Sequence, residues 1–237
     1  MSGDGLIVRE LETAIGEFVS KPLSFEVRNG EIAVVLGPNG SGKTTLLRTV
    51  AGLLPKRAGS VSLNGIEINY RPTLEPRHPP EGLLSIVFQD HKLVPHLDAF
   101  ENVLLGVPDE ERSEAESRAL EIARFLDCES LLPRPARSLS FGEREKMAVL
   151  RALIPNCSAL LMDEPTASLH PLAKEQVAKR LRSWVQQRCV PVLVATHDWP
   201  WARGTADKFI ILDHSRALVA HSKQDALKIL LLEDPDD

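Results

Sequence analysis

The chain has 237 residues, enough for one α/β domain with a full core or two small ones. Its net charge of −5 argues against a broad nucleic-acid-binding surface. No leader is visible at the N-terminus, and no stretch approaches the roughly 20 apolar residues that cross a bilayer, so any membrane role passes through a partner.

Short apolar runs at residues 6–8 and 23–27, closed by Asn29-Gly30, predict edge strands of a sheet. Residues 32–36 form an apolar, partly β-branched run that predicts a buried strand. Directly after it stands Gly37-Pro38-Asn39-Gly40-Ser41-Gly42-Lys43-Thr44, which fits G-x-x-x-x-G-K-[ST]. Glycines in such a loop let backbone N–H groups converge on phosphate oxygens. Lys43 reaches for the β- and γ-phosphates, the Thr44 hydroxyl offers a ligand to Mg²⁺, and Thr45 follows at the head of a helix expected over 45–54. A nucleoside triphosphate is the expected ligand.

Asn64-Gly65 between alternating segments over 61–68 predicts a hairpin. A Pro-rich loop fills 72–80, and an apolar strand over 83–88 ends at Gln89. From 98 to 153 the period becomes helical, with capping boxes expected at Asp98/Glu101 and Ser113/Glu116 and an end near Pro155. Strand signals return at 159–162, 192–195 and 209–212, with an amphipathic helix over 172–188 between the first two. Alternating strand and helix predict an α/β fold: a parallel sheet covered by helices, with a helical insert. Cys128, Cys157 and Cys189 lack metal-ligand spacing and read as reduced structural thiols. The remaining histidines, among them His78, His91, His96, His214 and His221, read as surface or capping residues, and Trp199 and Trp201 as packing aromatics.

The strand at 159–162 runs into Asp163-Glu164, and stability alone gives a buried strand no reason to end in two carboxylates. Beside a phosphate loop, Asp163 is placed to hold Mg²⁺ and Glu164 to polarise an attacking water. Leu139-Ser140-Phe141-Gly142-Glu143 opens a helix with a third capping box, leaving N–H groups for an anion. In spacing and setting it resembles the Leu-Ser-Gly-Gly-Gln signature of ATP-binding-cassette (ABC) ATPases. Gln89 looks like that family's Q-loop, Val94-Pro95-His96-Leu97 with Glu101-Asn102-Val103 is similar to the segment after it, and His197 resembles its switch histidine.

The resemblance implies one ABC ATPase domain over 1–237: a P-loop core with an N-terminal antiparallel β-subdomain (about 1–90 and 156–237) and an α-helical subdomain (about 91–155). It also implies two such domains paired head to tail around two ATP molecules. Lys43, Thr44, Gln89, Asp163, Glu164 and His197 would act from one subunit, Ser140 and Gly142 from the other. Catalysis falls to Glu164, His197 and Gln89, and Mg²⁺ to Thr44, Gln89 and Asp163. Expected partners are a second ATPase subunit and integral-membrane permease subunits, with no nucleic acid, at the cytoplasmic face of the membrane. Import is favoured over export. A soluble ABC ATPase of an assembly system, and a weakly hydrolysing half of a heterodimer, stay open as alternatives. No extra regulatory domain is expected after the core strands.

Four positions depart from the family pattern. Phe141 replaces a glycine, and Glu143 a glutamine. Ser168-Leu169-His170 stands where Ser-Ala-Leu-Asp is common. Ile15, with Phe18 nearby, takes the place of the aromatic residue that stacks on adenine, an exchange worth about 1 kcal/mol.

Overall fold

The computed structural model describes residues 5–15, 18–69, 84–213 and 216–231. Its first part is an antiparallel sheet built around β1 (Leu6–Ile15), which pairs with β2 (Phe18–Val19), β3 (Leu23–Val27) and, past β4 (Ile32–Leu36) and α1 (Lys43–Val50), with β5 (Lys56–Leu63). β6 (Ile66–Glu67) folds back on β5 through Asn64 and Gly65, whose φ angles of 49° and 79° are those a tight two-residue hairpin turn requires. Residues 6–8 are therefore not an edge. With β3 on one side and β5 on the other, β1 is the central strand of its sheet.

The second sheet has six strands in the order β11-β10-β4-β9-β8-β7. Along the chain, β7 (Leu84–Val87) is followed by α2 (Ala99–Val103), α3 (Arg112–Phe125) and α4 (Phe141–Leu153). β8 (Ala159–Asp163), α5 (Pro171–Arg188), β9 (Val192–Thr196), α6 (Trp199–Thr205), β10 (Lys208–Asp213), β11 (Arg216–Ala220) and α7 (Lys223–Leu231) complete it. β7, β8, β9, β4 and β10 are parallel, and β11 is antiparallel to β10. β4, β8 and β9 are buried at every position, so apolar side chains leave both faces.

Successive strand residues serve different cores. Ile32, Val34, Leu36, Leu160, Met162, Val192, Val194, Phe209 and Ile211 face the helices α2 to α6. Their neighbours Ala33, Val35, Leu161, Leu193, Ala195 and Ile210 face α1 and, beyond it, Leu6, Val8, Val27, Val61 and Leu63 of the antiparallel sheet. α1 is thus packed between two sheets through Leu46, Leu47 and Val50. The loop entering it is held at the carboxyl edge of β4.

Several boundaries differ from expectation. α1 starts at Lys43 and stops at Val50, because Gly52 takes φ +71° and the chain turns there. The capping box expected at Ser113/Glu116 does not form. A 3₁₀ turn over Asp109–Glu111 runs straight into α3, so Ser113 is already inside the helix. Asp98/Glu101 does form the box, and its helix α2 is short. β11, α6 and α7 go beyond the elements that the sequence predicts. The 72–80 loop lies outside the described residues.

Candidate nucleotide-binding site

The phosphate loop turns on two glycines. Gly42, at φ +94°, caps α1 in the left-handed region. At Gly37 a Cβ would stand 2.3 Å from the Leu212 carbonyl oxygen, so no side chain fits between β4 and β10. Lys43, buried at the head of α1, donates to the Gly37 carbonyl at 2.8 Å and the Pro38 carbonyl at 3.0 Å. Its ammonium therefore lies over the loop. Burial lowers its pKa, against the opposing pull of Glu164 and Asp163. A phosphate in the loop offers this ammonium an anionic acceptor in exchange for two neutral ones, a stronger hydrogen bond.

Thr44, next on α1, donates its hydroxyl to Asp163 Oδ1 at 3.1 Å. Asp163 ends β8, is 2% exposed, and its Oδ2 is buried without a partner. Burial raises its pKa, only partly countered by the Thr44 hydrogen bond. A buried carboxylate with a spare oxygen beside a hydroxyl is a donor set that fits a hard divalent cation. The residues present therefore suit Mg²⁺.

Glu164 follows in a strained setting, with φ +49° and its N–H bonded to the Ala195 carbonyl at 2.8 Å. Its side chain is fixed at both oxygens. Thr196 donates its hydroxyl to Oε2 at 3.0 Å, and His197 Nδ1 lies 2.9 Å from Oε1. Lys43 Nζ lies 3.8 Å from the same Oε1. An acceptor-only carboxylate at that distance assigns the proton of His197 to Nδ1. Thr196, the last residue of β9, was not singled out from the sequence. Its one signal was its place between a buried strand and His197.

Gln89 stands two residues beyond β7, whose Val87 is in register with Met162, so it shares the carboxyl edge with Asp163. Ser140 and Glu143 form the expected capping box at the start of α4, with Glu143 also bonded to Arg134 at 2.9 Å. The Ser140 N–H, aided by Arg134, holds the Glu143 carboxyl below its ordinary range, so its charge is engaged within its own chain. Phe141 is 57% exposed and meets the ring of His91 edge-on at 4.6 Å. His91 is buried, in contrast to the surface role expected of it, and burial lowers its pKa. His96 and His221 are exposed, and His78 and His214 lie outside the described residues. Gly142 faces the loop after β8, where a Cβ would stand 3.3 Å from the Ser168 carbonyl oxygen. His170 caps α5, its Nδ1 accepting the Ala173 N–H at 3.4 Å. Trp201 is buried and bonded to the Lys174 carbonyl, and Trp199 packs on Phe209. Ile15 closes β1, but its side chain lies outside what is described, as do Gly16 and the side chain of Phe18.

A parallel sheet with a Gly-rich loop opening a helix at one strand end and buried carboxylates at another defines a P-loop nucleotide-binding fold. The family model described as ABC transporter matches residues 20–167, and the chain belongs to that family. It is 32% identical to the molybdate/tungstate import ATP-binding protein WtpC of Pyrococcus horikoshii, over 89% of this chain and 60% of that one. It is 38% identical to the sn-glycerol-3-phosphate import ATP-binding protein UgpC of Cereibacter sphaeroides, over 81% of this chain and 54% of that one. The chain therefore spans only part of the length of these curated relatives. Among solved structures, a dimeric bacterial ABC transporter cassette superposes with a TM-score of 0.79 at 28% identity, covering 91% of this chain and 98% of that one. A dimeric cassette in a post-hydrolysis state with ADP and Pi superposes with a TM-score of 0.77 at 25% identity, with the same coverage. Among the described residues no helix is long and apolar enough to cross a membrane, and no cluster of His, Cys, Asp and Glu could by itself hold a metal.

Proposed function

We propose that this chain is the ATP-binding and ATP-hydrolysing subunit of an ABC transporter that imports a solute, acting in a pair beneath separate permease subunits. The observation that carries the reading is the placement of Glu164. One carboxylate is held by Thr196 and His197 within 3.8 Å of the phosphate-loop lysine, at the edge where Thr44 and Asp163 also meet. Among the relatives, import ATP-binding proteins recur, and the dimeric cassettes support pairing.

In this account the loop 37–45 binds the phosphates through backbone N–H groups and Lys43. Thr44 and Asp163, with Gln89 from the neighbouring edge, would hold Mg²⁺, which would supply positive charge beside the bound phosphates. Glu164 takes hydrogen-bond donation from the attacking water through a carboxylate fixed at both ends, and His197 orients it. Ser140 and Gly142 serve the partner's nucleotide from the head of α4. Residues of about 91–155 form the helical subdomain that meets the permease, at the cytoplasmic face of the membrane. The nucleotide loop and both carboxylates belong to the core around it.

The experiment is phosphate release from ATP and Mg²⁺ by the wild-type chain and by Glu164→Gln. The expected result is a loss of turnover of at least about a hundredfold in the variant, with ATP affinity within about twofold. A variant that turns over like wild type would remove Glu164 from the mechanism, and a wild type without ATP-dependent phosphate release would remove the hydrolytic reading.

A further inference from the structure

α4 carries a carboxylate that neither the phosphate loop nor the signature accounts for. Glu145 is 1% exposed, one helical turn past Gly142, on the face turned to the loop that follows Glu164. Its Oε2 accepts the Ser168 N–H at 2.9 Å, and the adjacent Ala167 N–H favours the charged form of the same carboxylate. The positive group nearest in influence, Lys174 on α5, is committed to Asp198 at 2.5 Å. A buried carboxylate held mainly by backbone N–H groups is costly to keep in a core where an apolar side chain would pack without desolvation. What it supplies is acceptor capacity. The Ser168 N–H of this irregular loop needs a side-chain acceptor, and a carboxylate has lone pairs to spare for its neighbour Ala167 where a methylene has none.

The consequence is geometric. The Ala167 N–H is also 3.4 Å from the Glu164 carbonyl, and the Leu169 N–H bonds to Thr166 at 3.2 Å, so the loop from Glu164 to His170 is one folded unit. Gly142 contacts that unit at Ser168 from one turn of α4, and Glu145 clamps it from the next. The helix that presents Ser140 outward is thus tied to the loop that carries Glu164 inward. Phe141 is not part of this tie, because its ring packs on His91 instead.

We propose that Glu145 is a positioning residue that locks the head of α4 to the loop after Glu164, so that the hydrolytic carboxylate and the signature serine move together. The proposal rests on the ATPase reading above. In a paired molecule these two ends would serve different nucleotides, so the clamp links one site to the other within a single chain. It offers a mechanical connection in a loop where His170 stands in place of a carboxylate.

The groups that face Glu145 set its pH behaviour. Burial raises its pKa, the Ser168 and Ala167 N–H groups lower it, Lys174 lowers it, and Glu164 raises it. On its own helix, Arg144 is engaged with the Leu139 and Arg137 carbonyls and Lys146 with those of Leu126 and Asp127, all away from the loop. His170, at the far end of the loop, accepts from α5. Protonation therefore acts on the clamp itself. As pH falls through the raised value, the carboxyl gains a proton, one acceptor oxygen becomes a donor, and the loop loosens.

The test is Glu145→Gln, which keeps shape and one acceptor oxygen, with hydrogen exchange at the Ala167 and Ser168 amides read alongside kcat, KM and the pH profile. The expected result is a cooperative fold with faster exchange at those two amides. It includes a kcat lower by about tenfold, a KM for ATP within about twofold, and an acid limb of kcat displaced from its wild-type position. Glu145→Asp, which restores the charge at shorter reach, is expected to recover part of the amide protection. Unchanged exchange, kcat and pH profile would overturn the proposal, as would a uniform loss of melting temperature with no local change at the two amides. A wild type without hydrolysis would instead fail the ATPase reading, while the amide exchange would still decide whether the clamp exists.

Discussion

Asp163 is a buried carboxylate that the fold keeps at a cost in stability. Its pKa is raised chiefly by burial, so the folded protein holds this proton more readily than the unfolded chain does. Stability from this group is therefore fully present below the ordinary carboxylate value and falls as pH climbs through the raised one. At neutral pH the ionised, 2%-exposed carboxylate costs stability. Asp163→Asn should melt higher than wild type at pH 7, by roughly 2–4 °C for each kcal/mol recovered, and should lose Mg²⁺-dependent turnover. A thermal melt beside a phosphate-release assay checks both, and a lower melting temperature at pH 7 would contradict the burial argument. Much of this site was legible because its parts are contiguous: the run from Gly37 to Thr44, the pair Asp163-Glu164, and His197 at a strand end. What the sequence hid are contacts between distant positions. Thr196 reaches Glu164 across 32 residues and Ser168 reaches Glu145 across 23, and no local pattern marks such pairs. The burial of His91 was hidden for the same reason, since the residues it meets, Phe141 and Arg151 among them, lie fifty or more positions further along.

At the scale of elements, helix starts decided how well the sequence could be read. Ser140 and Glu143 bond reciprocally, at 3.3 Å and 2.7 Å, as their spacing requires. Ser113 and Glu116 have the same spacing and fail, because Pro108 starts a 3₁₀ turn that reaches α3 first. Glu116 instead lies near Arg112 at 3.5 Å. Local signals propose a cap, and the preceding turn disposes of it. Ser140→Ala should remove about 1 kcal/mol of helix stability and lower the melting temperature by roughly 2–4 °C. Placed on the Glu164→Gln background, the same change should weaken ATP-dependent pairing by at least about tenfold, because the serine would also face the partner's nucleotide. Light scattering across a concentration series measures the second effect. Pairing weakened no more than the small loss in stability explains would confine Ser140 to its cap.

The whole molecule is organised by one strand period. Residues of β4, β8 and β9 alternate between a core shared with helices and a core shared with α1 and the antiparallel sheet. That arrangement holds the phosphate loop, Asp163 and Glu164 at one edge of the sheet. The class of sheet was legible from alternating strands and helices, and the strand order was not, because order is set by which faces meet in space. The central position of β1 was likewise invisible, since it depends on β5 returning to pair with it. The central claim is that this chain becomes a complete ATPase only as an ATP-bridged pair. The direct measurement is light scattering after size exclusion on Glu164→Gln, with and without ATP and Mg²⁺. The account predicts a monomer without nucleotide and a mass close to twice that with ATP, showing that Phe141 and His170 are tolerated at the shared site. A variant that binds ATP and stays monomeric at every concentration would contradict it.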